Sequence, residues 1–481
     1  MKHIKAYIAA AMIGFTGVMS VSAQNALRTG YFLEGYTYRH MLNPAFAPER
    51  SYVAFPALGN INLNLTSNVG LSTFLYPTKN GELTTFMSPD VKASKFLGKL
   101  KSVNHIDQNL DLMILSFGFR GFGGYNTFTL SSRTAASFAL PKDLFTFMKL
   151  GQNKEHTHYN FKNLGIEASE IVELGLGHSR QINEKLRAGV KVKALLGVGN
   201  VSARISNMDV TLSNDLWEVK ANGEVNIAGG SGLKVPTKGE SGKHLDNPGE
   251  ATLIDWDNID YDKFGLAGFG MGLDLGATYQ LLPDLELSAA ITDLSFMSWS
   301  NVHKGKTSEA SWKFEGFHDI ALDKNDPNYE DKKLDQQLED LGDQFEESVE
   351  FHKVGGKSSR MSGVGATITV GGMYTVPYVR FLKGGLLLTQ RINGHYSWTE
   401  GRISANLTPV GWFDASVNYA VSTFGSSFGW IVNFHPKGIN LFLGSDFQIF
   451  KVTPQYVPVG NLNASVNFGF NITFGGKKKK A

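Results

Sequence analysis

Strand-like stretches in this chain are joined by connections that run short, then long. That sorting constrains the fold more than any motif does. Apolar and polar residues alternate over 53–65, 110–119, 127–140, 169–180, 186–198, 269–281, 285–299, 364–376, 384–393, 398–408, 413–423, 428–435, 439–449 and 466–474. Successive strand residues point to opposite faces, so each stretch has one apolar and one polar face. Short connections fall near 121–125, 181–185, 282–284, 377–383, 409–411 and 436–438. Long ones fall in alternate gaps, at 67–109, 141–168, 201–265 and 300–363. A soluble sandwich has no reason to sort its loops by side of the sheet. A transmembrane barrel has short turns at one mouth and long loops at the other. The pattern predicts an all-β fold, a transmembrane antiparallel barrel of about 14 strands, with the last strand paired to the one near 53–65.

Face chemistry agrees. In the last stretch Val466, Phe468, Phe470, Ile472 and Phe474 alternate with Asn467, Gly469, Asn471 and Thr473. The large side chains are expected to meet lipid, and Asn467 and Asn471 the lumen. Glu173, Arg187, Lys191, Lys193, Asp274, Glu286, Asp414 and Asp446 share the polar phase. A charge on the lipid face costs about 2–4 kcal/mol at mid-membrane, which assigns these residues to the lumen. Trp299, Trp398, Trp412 and Trp430 lie at strand ends, where an interfacial aromatic belt is expected. The alternation slips between Ile291 and Leu294, which predicts a β-bulge. Between 203 and 228, shorter alternating runs predict strands that extend beyond the membrane.

No later segment supplies the roughly 20 apolar residues of a membrane-spanning helix, so a membrane reading must be a barrel reading. Residues 1–23 read as a secretory signal, with Lys2, His3 and Lys5 before an apolar core and Val21-Ser22-Ala23 at its end. Residues 24–50, with Pro44 and Pro48, form a shaped lead-in, 51–474 the barrel, and 475–481 a basic tail. The net charge of +2 leaves no nucleic-acid footprint. The absence of cysteine removes thiolate metal sites, cysteine nucleophiles, disulfides and a lipid-anchored cysteine.

No catalytic constellation emerges. Gly425-Ser426-Ser427-Phe428-Gly429 has nucleophile-elbow spacing but precedes a strand rather than a helix. His156 and His158 lack a third metal ligand. The acidic runs 255–262 and 323–328 miss the EF-hand register, which leaves solvated loops or weak surface Ca²⁺. No metal and no cofactor is expected. Leu334, Leu338, Leu341, Phe345 and Val349 recur at helical spacing, predicting an amphipathic helix in the 300–363 loop that either packs on neighbouring loops or lids the mouth. Leu71, Phe74, Leu75, Phe145 and Phe147 are the candidate loop residues for a hydrophobic ligand, with simple loop packing as the other reading.

Two short motifs carry a resemblance. Asn43-Pro44-Ala45 is similar to the Asn-Pro-Ala motif early in FadL-type proteins. Thr292-Asp293-Leu294-Ser295-Phe296-Met297-Ser298-Trp299 resembles an Asp-Leu-Gly-Phe-x-x-Trp pattern, with Ser295 in place of the glycine. The chain thus resembles the FadL/PorV-like outer-membrane barrels of Bacteroidota, nearest to a group with no assigned function. The resemblance implies 14 strands and a lumenal hatch at 24–50 that includes Asn43, Pro44 and Ala45. It also implies one of two roles. FadL-type proteins pass fatty acids or other hydrophobic compounds through a lateral opening, whereas PorV-type relatives serve protein secretion. The reading is a non-enzymatic, monomeric outer-membrane barrel in contact with outer-membrane lipids. It takes up a hydrophobic, fatty-acid-like small molecule or acts as a scaffold or shuttle for secreted proteins bound at its loops or periplasmic side.

Overall fold

The computed structural model describes residues 26–151, 156–213, 216–245, 248–308, 311–314, 349–393, 397–447 and 463–475. The signal reading, the acidic run 323–328, most of the basic tail and Leu334, Leu338, Leu341 and Phe345 lie outside them. Fourteen strands close into an antiparallel barrel. They are β1 (Ser51–Ala54 continued by Ile61–Ser67), β2 (Val103–Gly121), β3 (Gly124–Pro141), β4 (Gly165–Gln181), β5 (Leu186–Leu212), β6 (Gly268–Leu282) and β7 (Leu285–Lys306). The second half is β8 (Ser358–Thr375), β9 (Leu382–Ile392), β10 (Trp398–Val410), β11 (Phe413–Ser422), β12 (Gly425–Phe434), β13 (Ile439–Ser445) and β14 (Ala464–Phe474). Closure is between the first and last strands, with Ile61 opposite Phe468 and Leu63 opposite Val466. No described helix is long and apolar enough to cross a membrane.

Inside and outside follow the pleat. On β14, Val466, Ile472 and Phe474 are exposed, while Asn467 and Asn471 are fully buried in the lumen. Glu173, Lys191, Lys193, Asp274, Asp414 and Asp446 are likewise buried inward, as expected. The expected bulge is present. The β6–β7 register shifts from Leu273 opposite Leu294 to Leu275 opposite Ile291, and Asp293 takes a left-handed φ of 57°. Aspartate tolerates that conformation better than most residues.

Two expectations need correction. Loop sorting holds for the six short turns, but at the opposite mouth β9 and β10, and β11 and β12, are also joined by brief turns. The long connections in sequence are those from β1 to β2, β3 to β4, β5 to β6, β7 to β8 and β13 to β14. The tryptophan belt is also not where the strand ends placed it. Trp299 is fully buried, its indole N–H donating to Ser362 Oγ at 2.8 Å, and Trp398 lies under the Arg28 guanidinium. Lumenal packing takes both rings inward, whereas Trp412 is exposed at its turn.

At the mouth bearing the long loops, β5 runs for 27 residues. A membrane crossing needs about 9–11 strand residues, so its distal half projects outward. There it pairs with Trp217–Ala228, which in turn pairs with the end of β7. The expected extensions over 203–228 are this ribbon.

Candidate functional site

The lumen contains residues 26–50, held as two 3₁₀ turns, Arg28–Gly30 and Thr37–Met41, with extended links. Pro44 and Pro48 forbid a longer helix here. The segment's backbone polar groups therefore find partners on the wall. Asp446 accepts from the backbone N–H of Arg28 and of Thr29, at 2.9 and 2.8 Å, and Asp414 accepts from Gly35 N–H at 3.1 Å. Tyr38 donates to Asn471 Oδ1 at 2.7 Å, and His40 Nε2 meets Tyr52 Oη at 2.9 Å. Leu27, Leu33, Tyr36 and Tyr38 pack with Tyr52, Ile431 and Phe442 in an apolar core on the same side.

Asn43, Pro44 and Ala45 press directly on the wall. A Cβ at Gly276 on β6 would lie 2.0 Å from Asn43 Oδ1, and one at Gly189 on β5 would lie 2.1 Å from the Pro44 carbonyl oxygen. These wall glycines are notches that fit the segment, the close backbone approach for which strand glycine is suited. Ser179 Oγ adds a hydrogen bond to the Ala45 carbonyl at 2.7 Å, and Asn43 Oδ1 accepts from Ala45 N–H at 2.9 Å.

Two networks of buried charge cross the lumen. In the first, Arg133 on β3 and Lys191 and Lys193 on β5 face Glu173, Asp274 and Asp293. The ion pairs are Arg133–Glu173 at 2.5 Å, Lys191–Glu173 at 3.2 Å, Lys193–Asp274 at 2.8 Å and Lys193–Asp293 at 2.7 Å. The bulge makes this possible. It turns Thr292 and Asp293 both inward, where strict alternation would send one to lipid. In the second, Arg28 and Arg402 meet Glu400 and Asp446, including Arg28–Glu400 at 3.0 Å and Arg402–Glu400 at 2.8 Å. Buried charges persist only when paired and hydrogen-bonded, and both sets are. Asp446, Lys193 and their polar-phase neighbours were visible in the sequence. Arg28 and Glu400 were not, because 372 positions separate them and only the closed barrel brings them together.

Beyond the charges, toward the long loops, is a cavity of about 400 Å³ bordered by His105, Glu167, Arg204, Arg360, Met361 and Asn393. Asn393 also borders a constriction of about 20 Å³ among Arg28, Asp107, Arg391 and Glu400. A roomy polar chamber thus lies on one side of Asn393, and on the other a void with space for little more than one water beside Arg28 of the N-terminal segment.

The loop residues singled out from the sequence lie apart from this chamber. Phe74 and Phe145 join Phe86 and Phe96 in a loop core, with Phe86 and Phe96 stacked at 4.2 Å between centroids. Leu75 is half-buried and Leu71 is exposed beside it. Phe147 packs edge-on against Tyr159 at 5.4 Å. Val349 packs on the cluster around Tyr159 and Val210. In the acidic loop, burial pushes the Asp255 carboxyl up, but hydrogen bonds from Asn258 and Lys243 outweigh this and bring it down to about 2. Lysines pair with this loop, Lys243 with Asp255 and Lys234 with Asp262. Among the described residues no three His, Asp or Glu gather to hold a metal.

A model described as a family of unknown function, DUF5723, matches residues 44–446. No curated protein sequence matches. Solved structures do. The Ralstonia pickettii toluene transporter TbuX aligns at 10% identity and TM-score 0.41, over 91% of this chain and 92% of its own. A Pseudomonas aeruginosa FadL homologue aligns at 9% and 0.41, over 95% and 99%. The Pseudomonas putida toluene transporter TodX aligns at 9% and 0.38, over 90% and 92%.

Proposed function

The chain belongs to this family of unknown function, DUF5723, and from that premise we propose that it is an outer-membrane barrel that takes up a small hydrophobic molecule with an anionic end, as a fatty acid has. The observation that carries this reading is the chamber of about 400 Å³ at the mouth with the long loops. Arg204 and Arg360 offer charge to a carboxylate, while Met361, Ile166 and Val103 offer apolar contact. The lining is mainly polar, with this apolar strip beside the arginines, which suits a ligand whose charged end is anchored and whose chain lies along one side. Residues 26–50 act as the hatch. They cross the lumen and are hydrogen-bonded to its wall at Asp446, Asp414 and Ser179, so passage requires them to shift.

The chain contains no cysteine, which permits a clean test. Thr37 Oγ1 and Asn440 Oδ1 are 3.1 Å apart. In the double variant Thr37→Cys, Asn440→Cys, oxidation is expected to stop uptake of labelled fatty acid into proteoliposomes, and reduction to restore it. Equal uptake in both states would sink the hatch.

A second reading has one observation in its favour. The lumen is filled by paired charges and the wall-bound segment, and the β5 ribbon stands above the membrane. A barrel that binds exported proteins at that mouth needs no through-passage. Under this reading wild-type protein transports nothing and carries a stoichiometric exported protein on gentle extraction.

A further inference from the structure

The outward face of the described strands is mainly apolar, and one polar group on it stands near the mouth that carries the short turns. On β4 the odd positions Glu173 and Ser179 are buried inside, so the even positions Leu176, His178 and Arg180 face out. Opposite His178 in register is Asn126 of β3, also outward, and next along the row are Phe119 and Val190. A histidine, an arginine and an asparagine thus stand on a face where Leu176, Phe119 and Val190 are exposed apolar neighbours.

The group is built rather than incidental. Asn126 Nδ2 donates to the Gly121 carbonyl at 2.9 Å, which fixes the amide and leaves Oδ1 to accept from His178 Nδ1 at 2.9 Å. That pair orients the ring, and in its protonated form the ring donates from Nε2. The ring lies against the turn between β2 and β3, where a Cβ at Gly124 would collide with His178 Cε1 at 2.7 Å. A Cβ at Gly123 would sit 3.5 Å from the Arg180 Cζ. Gly124 therefore makes room for the ring, and the guanidinium lies in contact beside Gly123.

A second observation points to a ligand at the same spot. Phe122, at the tip of the turn, is 83% exposed and held at a φ of 55°. A bulky side chain in the left-handed region is strained, and such strain clusters at functional sites. Its ring is 6.4 Å from that of Phe119, which stands at the edge of the polar group. Exposed Ile182, Leu282, Tyr378 and Trp412 mark the same mouth at four other short turns. This belt is the signature of a membrane interface. His178 lies within about 10 Å of strand from the end of β4, at headgroup depth.

We propose that this polar group binds the headgroup phosphate of an anionic phospholipid in the inner leaflet, with Arg180 and His178 on the phosphate and Phe122 and Phe119 along the acyl chains. The assignment rests on the outer-membrane reading above. Arg180 supplies the charge a phosphate requires, and a planar guanidinium binds it through paired donors.

The test is native mass spectrometry of the full chain in mild detergent with phosphatidylglycerol. Wild type is expected to retain one lipid about tenfold better than the R180Q/H178Q variant, the loss of a charge-assisted contact. Phe122→Gly separates binding from folding. It relieves the left-handed strain, so a purely structural Phe122 would leave lipid retention unchanged, whereas the site loses retention while the barrel keeps its heat-modifiable gel mobility. Equal retention by wild type and R180Q/H178Q overturns the site. Displacement of the lipid by millimolar inorganic phosphate overturns the lipid as its occupant in favour of free phosphate. A chain that fails to sediment with membranes defeats the outer-membrane reading instead, so the two failures are distinguishable.

Discussion

Asp293 shows how one backbone irregularity sets the chemistry of a lumen. Its left-handed φ turns it inward beside Thr292, and its carboxylate then meets Lys193 at 2.7 Å and Arg133 at 3.2 Å. Asp293→Ala leaves both cations buried without that partner. It should cost about 3–5 kcal/mol in urea unfolding followed by tryptophan fluorescence. Asp293→Asn keeps the backbone conformation and a hydrogen-bond acceptor and should cost less. The slip that places this residue was legible because Ile291 and Leu294 both have to face lipid. Its ion-pair partners were not legible, since Arg133 lies 160 positions away. The wall glycines make a similar point. Gly189 and Gly276 look like unremarkable strand glycines until Asn43 and Pro44 are placed against them. Gly276→Ala should overpack that contact by about 1–3 kcal/mol. Limited proteolysis should then cut residues 26–50 in the variant and spare them in wild type.

At the level of elements, the pleat carried most of the information. Each stretch of alternation became a strand of the barrel, because a face that meets lipid tolerates no charge. Ile403 on β10 is 60% exposed, while its neighbour Arg402 is buried in an ion pair with Glu400. Ile403→Arg should therefore cost about 2–4 kcal/mol, measured as a shift in urea-dependent folding into liposomes, although an arginine one position away is accommodated. Strand ends were harder to read. β2, β5 and β7 run well past their alternating cores because their distal halves leave the membrane, where pairing continues but the apolar face is no longer required. Trp299 on β7 was misplaced for the same reason, whereas Trp398 begins β10 and is drawn inward by Arg28. A residue at the end of an alternating core is not at the membrane surface when the strand continues. Phe74 and Phe145 could be seen as loop aromatics, but their partners Phe86 and Phe96 come from a separate turn and helix that periodicity does not link to them.

For the molecule as a whole, closure was legible and content was not. Strand count, first-to-last pairing and the sidedness of the short turns all follow from local patterns. The shape of the chamber depends on side chains from β2, β3, β4, β5, β8 and β9 converging across the lumen, and no local pattern encodes that convergence. The N-terminal segment has one more consequence, and it concerns how the closing seam is held. Residues 26–50 lead straight into β1, and β1 is the strand against which β14 seals the barrel. The segment is hydrogen-bonded to both flanks of that seam and seated in notches on the opposite wall. It braces the closing seam from within, an internal strut between the first and last strands and the wall across from them.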